Sequence, residues 1–140
     1  MVLASLCLAG CAGKDQSPLE EMEAAFADVR AEVQLVVADP ERAGQANALV
    51  DQLQQTYTDT SASIQSHKDQ LRVLNEDYDS SREAMEEQLA LIVTDLKANQ
   101  KVVLDIGDKM SALLTPEEKD ELGKARSKAL NAAVTAMDAT

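Results

Sequence analysis

From residue 45 to residue 106 the chain contains neither glycine nor proline. A stretch of that length without a backbone breaker has few ways to fold, and its apolar residues narrow them further. Ala43, Ala46, Val50, Leu53, Tyr57, Thr60, Ile64, His67, Leu71 and Leu74 follow one another at spacings of three and four. That rhythm places all of them on one face of an α-helix. The stripe resumes as Met85, Leu89, Ile92, Leu96, Val103, Ile106, Met110 and Leu113. Between the two runs lies Asn75-Glu76-Asp77-Tyr78-Asp79-Ser80-Ser81, the most polar stretch in the middle of the chain. The phase slips there, with Ser81, Met85 and Leu89 four apart.

Two architectures satisfy that slip. In one, residues 75–81 turn the chain back and the two stripes bury each other in an antiparallel hairpin. Asn75 would end the first helix in the left-handed conformation, and Ser80 with Glu83 would open the second as a capping box. In the other, the slip is a stutter in one continuous helix of about 110 Å. Two short helices would fold back on it, and its seam would be covered in a dimer. The coincidence of cap, asparagine and phase break favours the hairpin.

The flanks carry clear helix starts. Ser17-Pro18-Leu19-Glu20 and Thr115-Pro116-Glu117-Glu118 are capping boxes with proline in the first turn, and Asp39-Pro40 opens a helix the same way. Leu19, Met22, Phe26, Val29, Val33 and Val36 form the stripe of the first helix. Leu122, Ala125, Ala129, Leu130, Ala133, Val134 and Met137 form the buried side of the last. The expected fold is all-α, with helices over about 18–38, 40–74, 80–113 and 116–138. The middle pair forms an antiparallel coiled-coil hairpin, and the outer pair completes a four-helix bundle at its open end.

Composition removes several function classes. The net charge of −12 argues against nucleic acid. Phe26, Tyr57 and Tyr78 are the only aromatic residues, too few to build stacking platforms for bases or sugars. His67 is the only histidine. On the apolar stripe it reads as part of a polar layer, with Thr60, that sets helix register. The acidic pairs fall on polar faces, and Glu76, Asp77 and Asp79 lack the glycine and distal glutamate of a calcium loop. No metal site, cofactor or catalytic arrangement is expected, so the chain reads as a non-enzyme.

Residues Leu8-Ala9-Gly10-Cys11 close the apolar run that begins at Met1, and the sequence turns polar at Ala12. They resemble the lipobox of bacterial lipoproteins. The resemblance implies that residues 1–10 are a signal peptide, its basic n-region missing, and that residues 11–16 form a lipidated tether. It further implies that Cys11 carries the acyl chains, a palmitate among them, that hold the protein to a membrane. By the family's sorting rule, Ala12 after the cysteine points to the periplasmic face of the outer membrane. With Cys7 removed and Cys11 acylated, no thiol remains for redox chemistry.

More broadly the chain is similar to small helical proteobacterial lipoproteins without an assigned function. Leu114-Thr115-Pro116-Glu117-Glu118 also resembles the Leu-Thr-x-x-Gln motif of the Spy and CpxP family of periplasmic stress proteins, with Glu118 in place of the glutamine. The leading expectation is a membrane-anchored interaction module. Its seam near the distal end, Ile64, Leu71, Leu74, Met85, Leu89 and Ile92, would dock a helix of another envelope protein or a second copy. The alternative implied by the second resemblance is an envelope chaperone or stress sensor.

Overall fold

The computed structural model describes residues 17–77 and 79–139, which form four α-helices: α1 (Pro18–Val36), α2 (Pro40–Glu76), α3 (Arg82–Leu113) and α4 (Pro116–Asp138). The lipobox, Cys11 and the tether to residue 16, like Tyr78 and Thr140, lie outside the described residues.

The three proline-led caps form where the sequence places them, whereas the expected Ser80–Glu83 box does not. Ser17 Oγ accepts from the Glu20 amide, and the Glu20 carboxylate accepts from the Ser17 amide at 2.8 Å. Asp39 Oδ1 accepts from the Arg42 amide at 2.8 Å. Thr115 and Glu118 make the same reciprocal box at the start of α4. Each satisfies amides that the first turn of a helix leaves without partners.

The helix ends depart slightly from expectation. α1 stops at Val36, with Val37 as its cap in extended conformation. Residues ahead of the Asp39-Pro40 pair are pulled out of the helix because a proline disfavours helical backbone before it. α2 runs on through Asn75 to Glu76, so Asn75 does not end the helix in the left-handed conformation, and no described residue has positive φ. The turn is instead an aspartate turn. Asp77 accepts from the Asp79 amide through Oδ1 at 3.0 Å and from the Ser80 amide through its carbonyl at 3.1 Å. With Ser80 engaged there, Ser81 is the N-cap of α3, its Oγ accepting from the Ala84 amide.

The topology is up-down-up-down. α2 and α3 pair antiparallel along their lengths, and α1 pairs antiparallel with α4. Asp28 meets Lys128 across the second pair at 2.6 Å. α1 also packs on α2, where Arg30 Nη1 donates to Asp51 at 3.1 Å and Gln54 at 2.7 Å, and Phe26 lies against Tyr57 with ring centroids 6.4 Å apart. α3 packs on α2 with no comparable packing on α1 or α4. The core runs the length of the four-helix part, around Met22, Phe26, Val33, Ala46, Val50, Leu122 and Ala133. Each large apolar side chain buried there contributes roughly 1.5–3 kcal/mol.

α4 meets α1 through Ala129, Ala133 and Ala136, whose small side chains let the two backbones approach. That line of contact leaves Val134 exposed, and Leu19 in the first turn of α1 is exposed too. The spacing of three and four places both on apolar stripes, but the close α1–α4 approach turns them to solvent.

α1 has 19 residues and α2 has 37. Counting back from the Phe26–Tyr57 contact, the start of α1 lies level with residue 66 or so of α2. The hairpin therefore projects about 15 Å beyond the bundle. Ser17 and the end of α4 both sit on the side from which this arm extends, while the 37–39 and 114–115 connections close the opposite end, the base.

Candidate functional site

Two features of the hairpin bear on function: a ladder of polar layers inside it and an apolar strip outside it. The ladder starts at Asn99, whose Nδ2 donates to Thr60 Oγ1 at 2.8 Å, while Thr60 Oγ1 donates to the Thr56 carbonyl at 2.7 Å. The next layer joins Ser63, His67, Gln88 and Asp95. Ser63 Oγ donates to Asp95 Oδ2, His67 Nε2 lies 3.3 Å from the same oxygen, and His67 Nδ1 lies 3.1 Å from Gln88 Oε1.

Serine, histidine and aspartate thus meet here, but in the wrong order for nucleophilic catalysis. A triad needs the imidazole on the hydroxyl and the carboxylate behind the imidazole. Here the carboxylate stands between the two, so Ser63 donates its hydrogen bond to Asp95 and the imidazole does not face Oγ. What these groups do is fix the register: a slip along either helix would bury them unpaired.

Thr60 and His67 were legible in the stripe. Asn99 was not counted, although the gap between Leu96 and Val103 marks its place, because a helical face requires a residue there. Ser63, Gln88 and Asp95 stand one position off the stripes and carry no signal of their own.

The six residues expected to form the docking seam divide. Ile64 is 5% exposed and belongs inside the hairpin. Leu71, Leu74, Met85 and Ile92 are half-buried, on the two helices toward the turn. Leu89 is open to solvent at 52%. It begins a strip along α3 that continues through Val93 (49%), Leu96 (43%) and Leu104 (61%). Val93 and Leu104 lie beside the stripe rather than on it. Leu91-Ile92-Val93 and Val102-Val103-Leu104 make the apolar face of α3 wider than one partner helix covers. Since α2 is the one helix packed along α3, the excess stays exposed.

At the base, Leu114 is buried and Glu118 sits between Thr115 and Arg42. The Arg42 guanidinium and the Thr115 amide lower the pKa of the Glu118 carboxyl, and the Glu118 carboxylate in turn raises that of Arg42. Residues 114–118, which resemble the stress-protein motif, are thus committed to closing the bundle.

At the tip, Glu76, Asp77 and Asp79 are exposed, with Asp77 turned toward backbone amides. Among the described residues no group of three histidine, cysteine, aspartate or glutamate side chains is placed to hold a metal ion. No helix among them is long and apolar enough to cross a membrane. No protein-family model, curated protein or solved structure matches the chain.

Proposed function

We propose that the chain is a non-enzymatic, lipid-anchored interaction module of the bacterial cell envelope, which engages the helix of another envelope protein along α3. The observation that carries this reading is the strip Leu89, Val93, Leu96 and Leu104, exposed along a helix that has a partner on one side only. An amphipathic helix laid beside α3 would bury it at i, i+4, i+7 positions, the usual mode of helix-in-groove recognition. The polar layers within the hairpin support the role, because they hold α3 in one register and so present the strip as a rigid surface. Anchoring rests on the resemblance of Leu8-Ala9-Gly10-Cys11 to a lipobox.

Two experiments test the two parts. A photo-crosslinking residue at Leu96 should give a discrete adduct in intact cells, and one at Asp69, exposed on α2, should not. Absence of an adduct from Leu89, Leu96 and Leu104 alike would sink the interaction reading. Labelled palmitate should enter the wild-type protein and not the Cys11→Ala variant. Labelling that persists in the variant would remove the anchor.

A further inference from the structure

We propose that the cavity between α3 and the α1–α4 pair binds a medium-chain carboxylate, a single alkyl chain with one anionic head. Protein interiors are packed as densely as organic crystals, yet this bundle keeps a cavity of ≈ 110 Å³. One water needs about 10–15 Å³ on this measure, so the space takes roughly eight water-sized or methylene-sized groups. Its wall is apolar, formed by Phe26 and Val33 of α1, Val103, Ile106 and Met110 of α3, and Leu122 of α4. Such a wall gives water too few partners to be filled comfortably by it.

The cavity exists because α3 does not close onto α4, and two small residues of α3 keep it open. Gly107 and Ser111 both line it. A glycine in a helix interior is destabilising relative to alanine. A Cβ at Gly107 would meet no atom within 4 Å, so a larger side chain there has open space to grow into.

Charge then selects the head group. The lining includes Lys119 and Arg126 of α4 and no carboxylate, in a chain whose net charge is −12. The helix neighbours of these two cations at three and four residues are Thr115, Pro116, Leu122, Gly123, Ala129 and Leu130, all uncharged. Lys128 on the same helix pairs with Asp28, whereas Lys119 and Arg126 make no ion pair among the described residues. They sit seven residues, or about 10 Å, apart along one face. Their long stems can bend toward a single anion at the mouth. A guanidinium grips a carboxylate with two parallel hydrogen bonds, and the ammonium adds a point charge.

This site is separate from the α3 strip at Leu89–Leu104, and either can fail without the other. Titration calorimetry of the full chain with decanoate, below its micelle concentration, tests it. We expect saturable one-to-one binding. Decyltrimethylammonium should bind at least tenfold more weakly, and so should decanoate to the Lys119→Gln/Arg126→Gln double variant, whose changes lie at the surface. Gly107→Leu should fill the cavity and abolish binding while melting no lower than wild type. If that variant fails to fold, Ser111→Leu gives the same test from the next turn. Absence of saturable binding by decanoate, equal binding of the cationic amphiphile, or undiminished binding to the filled cavity in a folded variant would each overturn the proposal.

Discussion

Arg42 holds Glu118 with both arms of its guanidinium, Nη1 to Oε2 at 2.9 Å and Nη2 to Oε1 at 2.8 Å, across 76 residues of sequence. The same Nη1 donates to the Leu113 carbonyl at 3.1 Å, and the same Oε2 accepts from the Thr115 amide at 2.8 Å. One ion pair thereby ties the first turn of α2, the last turn of α3 and the first turn of α4. Two planar groups matched fork to fork give both direction and strength, unlike the exposed pairs elsewhere on the surface.

The first prediction is the pH dependence of that knot. A carboxyl whose pKa is lowered by folding contributes stability that is fully present above its unfolded value. The contribution is lost as pH falls through the lowered, folded value. For Glu118 the unfolded reference is 4.5. Thermal melts of the wild type and of Glu118→Gln should therefore differ most near neutral pH and converge as the solution is taken well below pH 4.5. The difference between the two curves matters, because acid also relieves the repulsion of a chain with net charge −12. A gap that stays constant down to pH 2 would contradict the assignment.

A second prediction concerns the core. Phe26 is fully buried against Tyr57, so Phe26→Ala should cost about 3–5 kcal/mol in urea unfolding, the usual range for a buried aromatic. Leu35 lies on the same helix and is exposed, so Leu35→Ala should stay within about 0.5 kcal/mol of wild type. Equal losses from the two would mean that α1 is rotated relative to the face described.

How much of this was legible in the sequence varies from element to element. The three proline-led helix starts were explicit, because a cap followed at once by a proline has one physical use, and in two of them a glutamate three residues after the cap completes the box. The hairpin was legible as one of two options, since a phase slip without glycine or proline does not by itself distinguish a turn from a stutter. What decides it is Asp77, whose side chain and carbonyl both engage the following amides, a local act that no periodicity encodes. The strip on α3 was half legible. Leu89 and Leu96 stood on the stripe, but Val93 and Leu104 come into view only once α3 is seen to lack a second neighbour. Lys119 and Arg126 were not singled out at all, because a basic residue on a helix ordinarily reads as a solvated one.

The third prediction separates the two architectures in solution. Gln52 and Asp105 lie across from each other in the hairpin register and are both exposed. Spin labels there should be about 10–20 Å apart, given an interaxial distance near 10 Å. One continuous helix would place them about 80 Å apart.

The same labels test the polar ladder. Asn99→Leu removes the donor to Thr60 while leaving Thr60 its bond to the Thr56 carbonyl. Replacing a buried polar layer by a hydrophobe is often neutral or stabilising, and its cost falls on specificity of pairing. The variant should melt no lower than wild type, yet its Gln52–Asp105 distance distribution should broaden. A lower melting temperature with an unchanged distribution would make the layer a source of stability instead.

A fifth prediction follows from Gly44, on the exposed side of α2, where an added Cβ meets nothing within 4 Å. Gly44→Ala should raise stability by about 0.5–1 kcal/mol in urea unfolding, through helix propensity alone. A loss on substitution would mean that this face of α2 is packed against something.

Both ends of the described chain leave the bundle on the side of the arm, with the base turned the other way. Any attachment made ahead of Ser17 therefore aims the arm back at whatever holds the molecule, like a hook whose point faces its own shank. The apolar strip of α3 would then run from its Leu89 end, nearest the anchor, down the flank of the bundle to Leu104. On the proposed reading, a partner held close to that anchor would meet the Leu89 end of the strip first.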